Sequence, residues 1–383
     1  MKNVSFFIFL ATLHCVIVSA QSDYPADISF LVSDFKYSKT QGIKICEVQH
    51  GSLSAFGGDI FTAGQDGRMC PMIADYFAQF PHYKWGAGWM YQPLKRLLSA
   101  TGWKMEQSIN RLVKDSRFMT CAVRYPENTA LIATYAGIVY ADFELIKNIY
   151  YRTKFPGILF INAVTFPYWN DKCALNALFD LDDELKQYKA DWKMYEKKYD
   201  AHLAQRIQQD MPSNMYVIKP RSEVLAHGIL IVPALELDSV LKIILQPAPS
   251  LQHHPDKKYG YWLKNKDDSF IVEKYYESDY LSFASPLDKA TDHIQEYHYD
   301  ATMRLAFMLQ CDGGKMTYHC MGGFWKLPSK ALEEDGTLNE KRISCCTPPF
   351  YKQIDPELLD EVNVHMEKAM LRLYRVMLDK EYC

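Results

Sequence analysis

Two groups of residues in this chain have the types and spacing to do phosphate chemistry. The first centres on Lys219, which follows the β-branched and aromatic run Tyr216-Val217-Ile218 and precedes Pro220. A polar segment from Arg221 to His227 ends at Gly228, and the apolar residues 229–232 come next. The pattern reads as two short buried-type strands joined by a flexible loop. An ammonium at the end of an apolar strand needs a partner once it leaves water. A bound polyphosphate is one such partner; solvent around a surface hairpin is the other reading. The second group is Asp34 with Glu47 and Gln49. Glu47 and Gln49 lie on an alternating segment, 42–49, and so share a strand face with Ile45, while Cys46 and Val48 point the other way. Two carboxylates and an amide converging from adjacent strands offer the oxygen ligands that Mg²⁺ favours. An ordinary solvated sheet face shows the same alternation.

The elements that must hold these residues follow from the periodicity. Residues 28–32 read as a strand with Asp34 at its end, and a polar turn at 37–42 makes a hairpin with 42–49. The Gly- and Ser-rich stretch 50–67 reads as a loop beside the metal-type residues. Helices are expected at 69–80, 91–100, 105–114 and 142–150, and strands at 117–123 and 157–164, an α/β alternation. Residues 181–209 hold no Pro or Gly and carry apolar residues at spacings of three and four, which predicts a long amphipathic helix or helical pair. The stop at Met211-Pro212-Ser213-Asn214 marks the best internal boundary, dividing an α/β region 21–212 from a second region 213–383. Beyond it a helix is expected at 237–245, strands at 269–276 and 300–310, a return strand from 315, and a closing helix over 355–379. His253-His254 sits in a Pro-rich loop without a third ligand near it.

Composition sets bounds on class. A hydrophobic content of 48% with 14% aromatic residues is that of a folded chain with a large core, not a disordered one. A net charge of −3 and a pI near 6.4 exclude the basic balance of a nucleic-acid binder. Lys2, the apolar run 6–18 and the small residues Val18-Ser19-Ala20 have the form of a secretory signal peptide over 1–20, which implies export to a secreted or periplasmic destination. The run is too short to span a bilayer, so no stable membrane span is expected after cleavage. The cysteines show no metal-finger spacing, and Cys311 with Cys320 is the best disulfide pair.

The order Lys219-Pro220, loop to Gly228, strand with Glu273, strand with Arg304 resembles the nucleotide site of the ATP-grasp superfamily. The resemblance implies an α+β or α/β fold that holds a nucleotide between two α+β subdomains. It also implies that Lys219 contacts the phosphates, that Arg221, His227 and Gly228 belong to a loop closing over them, and that Val272-Glu273-Lys274-Tyr275 forms the adenine hinge. Arg304 would touch the transferred phosphate, with Asp300 orienting it or reaching the metal, and Lys326 as a further candidate. The metal-binding E-x-N pair of most such enzymes does not follow Arg304; Glu361-Val362-Asn363 has the letters but lies in the closing helix. The early hairpin instead resembles the glutathionylspermidine-synthase branch, with Asp34, Glu47 and Gln49 holding Mg²⁺ and Gln49 standing where that branch has Asn. The implied activity is ATP- and Mg²⁺-dependent joining of a carboxylate to an amine through an acyl phosphate. The alternatives are an exported non-catalytic ATP-grasp-like binding protein and an ATP-dependent phosphotransferase.

Overall fold

The computed structural model describes residues 27–51, 53–64, 67–79, 84–87, 96, 104–105, 129–132, 158–162, 164–168, 171–222, 226–284 and 296–382. The strands are β1 Asp27–Ser38, β2 Gly42–His50, β3 Lys84–Ala87, β4 Lys104–Met105, β5 Thr129–Ile132, β6 Ile158–Ile161, β7 Trp192–Glu196, β8 Met215–Pro220, β9 Leu230–Pro233, β10 Ser269–Lys274, β11 Leu281–Ala284, β12 Glu296–Tyr299, β13 Thr302–Asp312, β14 Lys315–Lys326 and β15 Tyr351–Gln353. The helices are α1 Leu53–Ala63, α2 Met69–Ala78, α3 Lys172–Phe179, α4 Asp183–Lys186, α5 Leu203–Asp210, α6 Leu237–Leu245, α7 Tyr261–Lys264, α8 Leu338–Arg342 and α9 Pro356–Tyr382. The predicted signal segment and the elements expected at 91–100, 106–114, 117–123 and 142–150 lie outside the described residues, apart from Arg96. Among the described residues no helix is long and apolar enough to cross a membrane.

The architecture is α+β, with a larger mixed sheet facing a smaller antiparallel one. The larger sheet runs β15-β14-β13-β1-β6-β5-β3-β4, with β2 also paired to β1. Its centre is β1, buried along its whole length, because β13 covers one edge and β2 with β6 the other. Both faces are covered too, which explains the near-continuous apolar run of β13. On one face Leu305, Phe307 and Leu309 pack under α9 through Val362, Met366, Met370, Leu373 and Met377, the helical spacing expected of that segment. On the other face Ala306 and Met308 meet Phe56, Met69, Ile73 and Phe77 of α1 and α2.

The smaller sheet runs β7-β10-β8-β9, all antiparallel. Tyr216, Ile218, Leu230, Val232, Phe270 and Val272 turn toward Leu203, Ile207, Leu237, Leu241 and Ile244 of α5 and α6. Strand periodicity therefore sends the intervening residues, Val217, Lys219, Ile231, Ile271 and Glu273, to the opposite face. Both sheets draw strands from either side of residue 212, since β1 pairs with β13 and β7 with β10.

Several expectations are corrected. Residues 181–209 do not form a long helix: Asp182 caps the single turn α4, β7 follows, and α5 begins at Leu203. The Trp and Tyr residues of β7 pair with β10, and this tertiary ladder overrides the helical propensity of the charged residues around them. Residues 50–67 hold α1 rather than a loop. Gly58 is what lets it pack: a Cβ there would stand 2.1 Å from the Phe324 ring. Asp59 on α1 then accepts from the amides of Arg68 and Met69, at 2.6 and 2.8 Å, tying in the start of α2. Cys311 and Cys320 do not face each other, because β13 and β14 register Cys311 with Met316 and Cys320 with Phe307.

The Gly58→Ala variant will force Phe324 to move and lower stability by about 1–3 kcal/mol. This is read as a lower urea midpoint with an unchanged slope. An unchanged midpoint contradicts the close approach of α1 to β14.

Candidate functional site

Facing residues of the two sheets line a cleft. Asp34, Glu47, Gln49, Lys219, Glu273, Tyr275, Arg304 and Lys326 all line it. Among the described residues, eight Lys and Arg side chains line the cleft against three Asp and Glu, whereas the whole chain carries a net charge of −3. Positive charge is therefore concentrated here. Apolar wall is supplied by Ala190, Val217, Ala226, Ile229, Ile231 and Ile343.

Lys219 is buried at the end of β8, so the solvated-hairpin reading does not hold. Its Nζ donates to Glu273 Oε2 at 2.6 Å and to the Cys46 carbonyl at 3.2 Å. Glu273 Oε1 accepts from Lys189 Nζ at 2.8 Å and from the Asn176 amide at 3.1 Å. Two ammonium groups thus share one carboxylate. Burial would raise the Glu273 carboxyl, but Lys189 and Lys219 outweigh it and bring it down from 4.5 to about 2. For Lys219, burial alone would lower the ammonium; Glu273 beside it dominates and holds it above its ordinary value. Lys189 ends below its ordinary value, because burial and the neighbouring Lys219 exceed its share of Glu273.

This triad also joins the sheets. The β1–β2 register passes from Asp34↔Glu47 to Phe35↔Ile45, so Cys46 is an extra residue, a bulge. The bulge shifts the strand phase, and Ile45 joins the core with Val48 instead of sharing a face with Glu47. The Cys46 carbonyl, left out of the ladder, accepts from both Lys219 and Lys189, the latter at 3.4 Å. Ile45 adds a carbonyl to Lys189 at 3.1 Å and an amide to the Tyr188 carbonyl at 2.7 Å.

A second shared carboxylate lies across the cleft. Asp34 accepts from Arg304 Nε at 2.6 Å and Nη2 at 2.7 Å, and from Lys326 Nζ at 2.7 Å, all three residues being buried. Burial would raise the Asp34 carboxyl, yet Arg304 and Lys326 hold it far below the usual carboxylate range. Asp34 and not Asp300 orients Arg304. Asp300 is the third shared carboxylate: Lys36 Nζ donates to it at 2.8 Å, Arg342 Nη1 at 2.9 Å and Ser278 N at 3.0 Å, with the Tyr275 hydroxyl also bonded. The Arg342 guanidinium lies 5.7 Å from the Tyr275 ring centre.

These contacts test the metal set. Both oxygens of Asp34 are already held by cations, so the three-residue Mg²⁺ site of Asp34, Glu47 and Gln49 does not fit the arrangement. Glu47 retains only a bond from Gln49 Nε2 at 3.2 Å and a Lys172 ammonium 3.9 Å away. Among the described residues no group of three or more His, Cys, Asp or Glu is placed to hold a metal.

Other expected residues lie elsewhere. Arg221 forks onto Asp171, with Nη2 at 2.5 Å from Oδ2, and does not line the cleft. His227 stacks on Tyr261 at 4.2 Å between ring centres. Gly228 has φ +68° and its carbonyl accepts from Trp262 Nε1 at 2.9 Å, so that turn packs on α7. From the same loop Ala226 and Ile229 reach the cleft instead. The side chains of Glu273 and Tyr275 are committed to ion pairing and to Asp300, not to a planar base. Lys36, Lys189 and Arg342 were not anticipated. Lys36 carries a signal related to the one that marked Lys219, a lysine among the apolar residues of a strand, here between Phe35 and Tyr37. Lys189 was hidden in a charged stretch that read as a solvated helix face.

No protein-family model matches this chain, and no curated protein matches it. Among solved structures the chain is similar to a glutathione synthetase-like effector from Globodera pallida, at 12% identity and a TM-score of 0.42, covering 84% of this chain and 77% of that one. It is also similar to the D-alanine-D-alanine ligase from Coxiella burnetii, at 10% identity and a TM-score of 0.28, covering 66% and 69%.

Acid will weaken the site from Glu273. Its folded pKa is lowered, so its contribution is fully present above 4.5 and is lost as pH falls from 4.5 toward 2. Glu273→Gln leaves two buried ammonium groups without their carboxylate and will cost about 3–5 kcal/mol at neutral pH. Its unfolding free energy, followed by urea titration, will fall less steeply than that of the wild type across that acid window. Equal slopes for the two proteins contradict the shared-carboxylate arrangement.

Proposed function

We propose that the chain is an ATP-grasp-like, ATP-dependent carboxylate–amine ligase acting through an acyl phosphate. The observation that carries this reading is the cleft itself: among the described residues, eight basic side chains against three acidic ones, beside an apolar wall, between a mixed and an antiparallel sheet of a chain with net negative charge. An amphipathic polyanion matches it, with an apolar base toward Val217, Ile229 and Ile231 and phosphates toward the cations. Phosphoryl transfer asks for charge neutralisation and alignment more than for a covalent catalyst. Lys219, fixed by Glu273, steadies the phosphate chain. Arg304 and Lys326, fixed by Asp34, receive the charge of the group in flight.

In the first step a carboxylate oxygen of the substrate attacks the terminal phosphorus. The bond to the bridging oxygen breaks and ADP departs. In the second the amine nitrogen attacks the acyl carbon, the carbon–oxygen bond to phosphate breaks, and the amine gives up a proton as the amide forms. The donor set does not support Mg²⁺ at Asp34, so neither step is routed through a metal. Export through the amino-terminal segment is part of the proposal, and the reaction then belongs to a destination that supplies ATP.

The test is a melting experiment followed by product analysis. ATP at a hundred times its dissociation constant will stabilise the full chain by roughly 2.7 kcal/mol, and Lys219→Ala will abolish most of that gain. ADP release from a panel of amino-acid carboxylates will require an amine as co-substrate. Release with carboxylate alone, or with a hydroxyl acceptor, would show phosphotransfer or hydrolysis instead, and ATP binding without turnover would show a binding protein.

A further inference from the structure

We propose that the cleft binds its polyphosphate without a metal ion, with Arg304 and Lys326 occupying the electrostatic role that a divalent cation would fill. The proposal rests on the nucleotide reading given above and adds to it a departure in how the phosphate charge is neutralised.

The carboxylates facing the cleft carry the argument. A metal ion needs carboxylate oxygens that are free to approach it. Glu273 gives one oxygen to Lys219 at 2.6 Å and the other to Lys189 at 2.8 Å. Asp34 gives one to Arg304 at 2.6 Å and the other to Lys326 at 2.7 Å. Among the described residues lining the cleft, only Glu47 remains, and one carboxylate with its Gln49 partner is a thin anchor for a divalent ion. A metal at Asp34 would also stand against a guanidinium and an ammonium, so like charges would meet in a dry pocket.

The same geometry suits a bare polyphosphate. Arg304 uses the Nε and Nη2 edge of its fork on Asp34, which fixes the guanidinium plane on the floor of the cleft. Lys326 gives Asp34 one of its three N–H donors. A guanidinium and an ammonium held side by side neutralise phosphate oxygens through charge-assisted hydrogen bonds. Asp34 acts here as a positioning residue that keeps two cations buried and aimed. The excess of basic over acidic side chains across the cleft supplies the compensation that metal chelation would otherwise provide.

The experiment compares calorimetric binding of ATP to the full chain in a chelator with binding in excess magnesium, and repeats the chelator titration with inorganic tripolyphosphate. The dissociation constants for ATP with and without metal are expected to agree within about threefold, and tripolyphosphate is expected to bind in the chelator. Lys326→Met is expected to weaken metal-free binding about tenfold, and Lys326→Arg to restore it. Binding that appears only with magnesium overturns this proposal and leaves the nucleotide cleft standing. Absence of ATP binding in both conditions overturns the cleft reading itself. Wild-type affinity of Lys326→Met in the chelator overturns the role given to that lysine; the wild-type comparison stands even where a variant fails to fold.

Discussion

A buried ammonium or guanidinium persists only where a carboxylate or aligned carbonyls replace the water it has lost. In this protein that constraint is met by sharing. Glu273 serves Lys189 and Lys219, Asp34 serves Arg304 and Lys326, and Asp300 serves Lys36 and Arg342. In the first two pairs one negative charge fixes two positive ones. The positive side chains are thereby immobilised and dry, and the surface they present is cationic. Everything inferred about phosphate recognition depends on this arrangement, because mobile, hydrated lysines would give neither the same field nor the same aim.

The fold exists to bring those groups to one place. The smaller sheet buries one face under helices and turns the other toward the cleft, and the larger sheet, covered on both faces, brings Asp34 of β1, Arg304 of β13 and Lys326 of β14 to it. Alternation along β8, β9 and β10 then decides which residues reach it. A small irregularity joins the two layers: the bulge at Cys46 frees a carbonyl of the larger sheet for the lysines of the smaller one. A second irregularity, the register shift between Leu305 and Phe307 opposite Gly322, which has φ +98°, lies just beyond Arg304 on β13. Bulges bend and re-aim strands, and both of these sit beside the charged floor.

Much of the frame was legible. The hairpin of β1 and β2, strands β8, β10 and β13, the helix α6 and the closing helix α9 each follow from periodicity, because their buried faces are set by strand or helix spacing. The region from Leu181 to Gln209 was not, since its charges and lack of breakers favour a helix locally while the free edge of β10 recruits Trp192 to Glu196 as a strand. Residues 50–67 misled for a related reason. Glycines that read as loop formers are there to let α1 lie close on Phe324, a contact no local window contains.

The sequence by itself determined that Lys219, Arg304, Asp34 and Glu47 sit on strands of a folded, overall acidic chain, and at which strand positions. It could not determine what each would touch. Only the tertiary structure decided that Asp34 answers Arg304 and Lys326 rather than a metal, that Asp300 turns to Lys36 and Arg342, and that Lys189 joins Lys219 on Glu273. The reason is that a charge buried in a protein is neutralised by whatever is nearest in space. Asp34 and Arg304, separated by 270 positions in the chain, become nearest neighbours only when β1 and β13 pair.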